Sequence, residues 1–240
     1  MKLYAIGDLH LSLDPATDKP MDVFGPAWAD HDVRLRENWL ETVTEEDIVI
    51  LAGDLSWALK WEDAATDLAF IHELPGRKIC IKGNHDLWWH GITRMNQLYE
   101  DVTFLQNDCC EAGPWILCGS RGWTCPETEH FTEQDRRIYE RELLRLRMSL
   151  TAGDKVRQET GKEIIGILHY PPTADNKQPS GFTALFEEFG VRDVVYGHLH
   201  GKDAFPKGFQ GNLNGVRYQL ISLDYVEARP VLLREEPDCK

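Results

Sequence analysis

Six short runs of the chain are apolar almost throughout, with no polar residue at every second position. They are Lys2–Ile6, Asp47–Ala52, Lys78–Lys82, Ile116–Gly119, Glu163–Leu168 and Asp193–Tyr196. A strand with one wet face alternates, so unbroken runs of this length read as strands covered on both sides. Between them lie segments with helical spacing: His31–Val43, Glu62–Glu73, Gly91–Glu100, Thr132–Ala152 and Gly181–Phe189. After Gly201 that spacing stops, and Asn212–Ser222 and Val226–Leu233 read as strands, an all-β tail. This order predicts an α/β (α+β) chain, a sandwich of two sheets with helices on its outer faces. No repeat, low-complexity tract or Pro/Gly/Ser-rich linker interrupts the 240 residues, so residues 1–240 read as one domain.

The residues able to carry chemistry sit just past the strands. Five segments follow strand candidates: Gly7-Asp8-Leu9-His10, Gly53-Asp54, Gly83-Asn84-His85-Asp86, His169 and Gly197-His198-Leu199-His200. The carboxyl ends of strands are where α/β folds place their sites. In extended backbone, residues i and i+2 point the same way, so Asp8 with His10, and His198 with His200, can each face one site. The preceding glycines let the chain turn tightly as it leaves a strand. Alone, a D-x-H or an H-x-H is a chance pattern; together these segments hold five of the nine histidines. Asp8, His10, Asp54, Asn84, His169, His198 and His200 make seven donors, too many for one tetrahedral zinc, so two ions are expected. Mixed carboxylate, imidazole and amide donors suit divalent transition metals, with manganese first and iron, zinc or cobalt as alternatives. Asp54, central in the order, is the natural bridging ligand.

The ordered pattern D-x-H, G-D, G-N-H-D, H and G-H-x-H, running from Asp8 to His200, resembles the calcineurin-like metallophosphoesterases. The resemblance implies a four-layer α/β/β/α sandwich of two mixed sheets flanked by helices, with a dinuclear metal site. It implies Asp8, His10 and His200 on one ion, Asn84, His169 and His198 on the other, and Asp54 bridging. It further implies His85 as proton donor to the leaving oxygen, with Asp86 orienting it. The expected reaction is hydrolysis of a phosphoester, mono- or diester, by a bridging hydroxide that the paired ions generate. Ser/Thr protein phosphatases of the superfamily carry G-D-x-x-D-R-G. Here the segment is Gly53-Asp54-Leu55-Ser56-Trp57-Ala58, without the arginine, which turns the expectation from phosphoproteins to a small phosphoester.

Composition bounds the alternatives. Lys and Arg number 26 against 40 Asp and Glu, a formal charge of −14, with no basic cluster to grip a nucleic acid. A metal-dependent nuclease is therefore the lesser alternative, beside a non-catalytic protein-interaction scaffold on the same fold. No apolar run of 18 or more residues is present, so no membrane partner is expected. With no signal-like N-terminus and six cysteines lacking metal-finger spacing, a cytoplasmic protein with reduced thiols is expected. Cys80 and Cys118 read as core thiols, and Cys239 lies beside the C-terminus. Trp88 and Trp89 read as core aromatics, with stacking on a substrate as the alternative. Arg121 reads as an ion-pair partner or a phosphate contact, His90 as a substrate contact, and residues 11–30 as a pocket wall or a surface wrap. No heptad run fixes an oligomeric state.

Overall fold

The unbroken apolar runs form strands buried on both faces. In the computed structural model, which describes residues 1–236, the chain divides into two compact units, residues 1–104 with 221–236 and residues 105–220. Cys239 lies outside the described residues.

The first unit is built on a five-stranded sheet in the order β11-β1-β2-β3-β4. Its strands are β1 (Lys2–Ile6), β2 (Ile48–Leu51), β3 (Arg77–Cys80), β4 (Val102–Phe104) and β11 (Val231–Glu235). The first four run parallel, and β11 returns antiparallel to β1, so the sheet is mixed. On one face Tyr4, Ile6, Val49, Leu51 and Cys80 pack with Leu35 and Trp39 of α1 (His31–Thr42) and Leu68 and Ile71 of α2 (Ala65–Glu73). On the other face Leu3, Ala5, Ile50 and Ile79 are also buried. Each such Leu or Ile contributes about 1.5–3 kcal/mol relative to leaving it exposed.

The second unit carries a six-stranded sheet in the order β5-β6-β7-β8-β10-β9. These are β5 (Cys109–Ala112), β6 (Trp115–Ser120), β7 (Glu163–Leu168), β8 (Asp193–Tyr196), β9 (Gly211–Leu213) and β10 (Val216–Leu220). β6, β7, β8 and β10 are parallel, and β5 and β9 are antiparallel edges. Leu146 and Leu150 of α4 (Glu133–Thr160) and Phe182 and Phe186 of α5 (Gly181–Glu188) pack with Ile116, Cys118, Ile164 and Val194. Two mixed sheets flanked by helices are the expected architecture.

The departures from the sequence reading have local causes. α4 runs past Ala152 because Gly153 is a contact point rather than a stop: a Cβ there would lie 2.3 Å from Cys118 Sγ. The helix starts at a capping box between Thr132 and Asp135 and ends at Gly161, which takes the left-handed φ of 73°. α3 spans only Ile92–Met95, because Asn96 turns its side chain to the backbone of Phe104, accepting its N–H at 2.6 Å. The β tail belongs to both units, β9 and β10 in the second sheet and β11 in the first. Residues 226–229 are a turn, with Glu227 and Ala228 at positive φ, and the strand begins only after Pro230. Cys80 and Cys118 are core thiols, as expected, and burial pushes both thiol pKa values up. Cys125 is also buried, its pKa pushed up to about 12.

Candidate metal centre

In the first unit, the segments leaving β1 and β2 continue side by side after the strands end. Asp8 N–H donates to the Gly53 carbonyl at 2.9 Å, His10 N–H to Asp54 at 2.9 Å, and Leu11 N–H to Leu55 at 3.0 Å. This backbone zipper brings Asp8, His10 and Asp54 together. An Asp8 carboxylate oxygen lies within 4.8 Å of a His10 ring nitrogen, and one lies within 4.8 Å of an Asp54 carboxylate oxygen. His10 Nε2 and Asp54 Oδ2 are 3.7 Å apart, too long for a hydrogen bond between them. All three side chains are essentially buried.

The turn after β3 locks onto this pair of loops. His85 N–H donates to Asp54 Oδ1 at 2.7 Å. The buried carboxylate of Asp86 accepts the N–H groups of Asp54 (2.9 Å), Leu55 (2.8 Å), Ser56 (3.3 Å) and Gly83 (2.7 Å), and the Trp88 indole at 3.2 Å. Asp86 thus works as a fastening point between two strand-end loops, a role the sequence reading missed. Gly83 is required by proximity: a Cβ there would sit 2.0 Å from Asp54 Oδ1. Asn84 follows on the same turn, half-buried. A second buried carboxylate, Asp67 on α2, accepts Leu13 N–H at 2.8 Å and the Ser56 hydroxyl, so it clasps the segments after His10 and Asp54. Burial raises the Asp67 pKa, against the lowering effect of these two donors.

The second unit assembles its histidines the same way. His169 and Tyr170, past β7, both donate backbone N–H to the Arg121 carbonyl past β6, at 3.1 and 3.0 Å. Gly197 N–H, past β8, donates to the His169 carbonyl at 3.1 Å. The His169 and His198 rings are 5.1 Å apart at 75°, and Tyr170 stacks on His198 at 4.0 Å. His200 is two residues further along the same loop, half-buried.

The tight turns fall on the ligand candidates themselves as well as on glycine. Asp8, His10, Asp54 and His198 take φ of 59°, 47°, 52° and 74°, the left-handed region that costs a non-glycine residue free energy. Of the glycines before them, Gly53 alone shares that feature, at φ 89°. Such strain concentrates at functional sites, where the surrounding structure over-determines it. The donor chemistry fits a divalent cation. Two carboxylates buried this close repel unless a positive charge lies between them.

Other candidates fall into place. Trp88 and Trp89 are core aromatics of the first unit. Arg121 pairs with Glu142 at 3.4 Å and lies over the Trp123 ring at 4.7 Å. Because Glu142 is fully buried, this is an anchored pair rather than a surface one. His90 is exposed and meets Trp61 edge-on at 5.7 Å. The 11–30 segment reaches the ligands, since Trp28 packs edge-on to His10 at 5.7 Å. With Ser12, Leu13, Met21 and His31, Trp28 lines a cavity of about 280 Å³.

Comparison with known proteins decides the family: a model of calcineurin-like phosphoesterases matches residues 1–202. The chain belongs to this family. Its members are metal-dependent phosphoester hydrolases, and the D-x-H, G-D, G-N-H-D, H and G-H-x-H positions all fall inside the matched span. The Gene 66 protein of Mycobacterium phage D29 is 38% identical over 100 residues, 40% of this chain and 47% of that protein. The match thus spans about half the length of that relative. Among solved structures, a protein of unknown function from Aquifex aeolicus superposes with a TM-score of 0.53 at 15% identity, covering 96% of this chain and 95% of that one. A phosphopantetheinyl hydrolase from Mycobacterium tuberculosis superposes with a TM-score of 0.51 at 15% identity, covering 100% and 98%. At that identity the likeness is one of fold. Among the described residues no helix is long and apolar enough to cross a membrane.

Proposed function

We propose that this calcineurin-like phosphoesterase hydrolyses a small phosphoester at a dinuclear metal centre. The observation that carries the reading is the buried group Asp8, His10 and Asp54, each in a left-handed conformation and fastened through Asp54 to the His85 turn. Asp8, His10 and His200 would hold one ion, Asn84, His169 and His198 the other, and Asp54 would bridge them. When bound, paired divalent ions supply an activated water nucleophile and offset charge on the phosphoryl oxygens. Mixed carboxylate, imidazole and amide donors suit divalent transition metals, manganese first in this reading, with iron, zinc or cobalt as substitutes.

The chain's own groups supply the rest. His85 gives a ring proton to the departing oxygen, help worth on the order of 10²–10⁴-fold. Its backbone N–H on Asp54 Oδ1 holds the His85 backbone beside that carboxylate. Asp67 sets the loops, and Asp86 both fastens them and, in this reading, orients His85. A formal charge of −14 favours a small substrate over a polyanion.

The test is hydrolysis of 4-nitrophenyl phosphate and bis(4-nitrophenyl) phosphate with Mn²⁺, with Asp54→Asn as control and metal content measured in parallel. Turnover by the wild type, lost with the metal in Asp54→Asn, is the expected result. Preference for the bis-ester assigns a phosphodiesterase, and preference for the monoester a phosphatase. Protein holding two ions that hydrolyses neither ester overturns the reading in favour of a scaffold. Cleavage of single-stranded DNA in their place makes it a nuclease.

A further inference from the structure

Trp57, three residues past Asp54, is no ligand candidate, yet it touches both kinds of group at the site. Its ring stacks on His10, with centroids 4.7 Å apart at 24°. It lies 4.2 Å from the His85 ring at 54°. His10 and His85 meet edge to face at 5.5 Å, so the three rings form one cluster. The indole is itself held in place. Trp57 N–H donates to the Leu11 carbonyl at 2.9 Å, closing the zipper between the loops. Its Nε1–H points to Met21 Sδ at 3.0 Å, a contact from the 11–30 segment.

We propose that Trp57 is a positioning residue for His85. The inference rests on the reading of His85 as proton donor. A histidine side chain has two rotatable bonds, and proton transfer needs the ring nitrogen within hydrogen-bond reach of the leaving oxygen. A rigid indole on one side, itself stacked on His10, takes most of the other orientations away. Met21 carries that restraint on to the 11–30 segment, so the loop tunes the His85 ring through Trp57. Any flat ring at this position performs the function, which separates the role from simple filling of space.

The experiment compares wild type with Trp57→Ala, Trp57→Leu and Trp57→Phe. Each full-length, metal-free protein is treated with diethyl pyrocarbonate, and modification of each histidine is followed by peptide mass spectrometry. Metal content and turnover of phenyl phosphate and 4-nitrophenyl phosphate are then measured with Mn²⁺. Trp57→Ala and Trp57→Leu are expected to label faster at His85, with His72 and His130 unchanged, and Trp57→Phe to label as wild type does. The phenyl to 4-nitrophenyl rate ratio should fall about tenfold or more in the Ala and Leu variants and recover in Phe, because the poorer leaving group needs the proton more. His85 labelling at the wild-type rate in both Ala and Leu variants overturns the proposal, as does faster labelling of all three histidines. If the labelling follows expectation while wild type hydrolyses neither ester, the functional reading falls and the positioning role stands.

Discussion

Asp86 shows how much of a site one buried side chain can organise. An ionised carboxylate only accepts hydrogen bonds, and this one takes four backbone N–H groups and an indole. Asp86→Ala leaves those donors buried without an acceptor, so a loss of about 3 kcal/mol is expected in urea unfolding, with loss of bound Mn²⁺. Asp86→Asn should do little better, since its amide turns a donor toward other donors. Asp67 makes a different prediction. Its pKa is raised by burial, so the folded chain keeps that proton to higher pH than the unfolded chain does. Its contribution to stability is therefore greatest below the ordinary carboxylate value of about 4 and declines as pH rises through the window above it. Asp67→Asn copies the protonated acid, accepting from Leu13 and donating to Ser56. Unfolding free energies between pH 3 and 7 should show wild type losing ground to Asp67→Asn as pH rises, and a constant difference would contradict the assignment.

At the scale of elements, the legible parts were those whose signal is local and long enough to read. Strands β1, β2, β7 and β8 announce themselves because a strand covered on both faces has no reason to include polar residues. β4, of three residues, and β5, with a glutamate among its four, carry no such run; they exist because β3 and β6 offer an edge to pair with. The ligand candidates were legible because Asp, Asn and His together have no packing reason to follow an apolar strand. Asp86 as a fastening point, Asp67 as a clasp and Trp57 between two histidines were not legible, since each depends on a partner far along the chain. Gly153 belongs to the same class. In an exposed helix Gly→Ala gains about 1 kcal/mol, but here the new methyl meets Cys118 Sγ at 2.3 Å and Ile116 Cγ2 at 3.3 Å. Crowding of this kind costs about 1–3 kcal/mol, so the net sign should be destabilising. Cys118→Ala makes room, and the double variant Gly153→Ala/Cys118→Ala should recover part of the loss, a coupling a double-mutant cycle measures directly.

At the scale of the whole molecule, the proposed metal centre bears on how the folded chain resists heat. Each unit has its own apolar core, Leu35, Trp39 and Val49 among the residues of one and Leu146, Phe182 and Tyr218 of the other. Of the seven proposed ligands, Asp8, His10, Asp54 and Asn84 lie in the first unit's chain segments, and His169, His198 and His200 in the second's. Each metal ion that binds only the folded chain stabilises it by mass action, by about 2.7 kcal/mol at a hundred times its dissociation constant. Calorimetry with excess Mn²⁺ should therefore give a later transition than calorimetry with a chelator. Asp54→Asn should give the chelated profile whether or not Mn²⁺ is present, because the carboxylate proposed to join the two ions is gone. A wild-type thermogram that ignores the chelator would show that metal is no part of the folded chain, and the centre drawn from these seven residues would have to be abandoned.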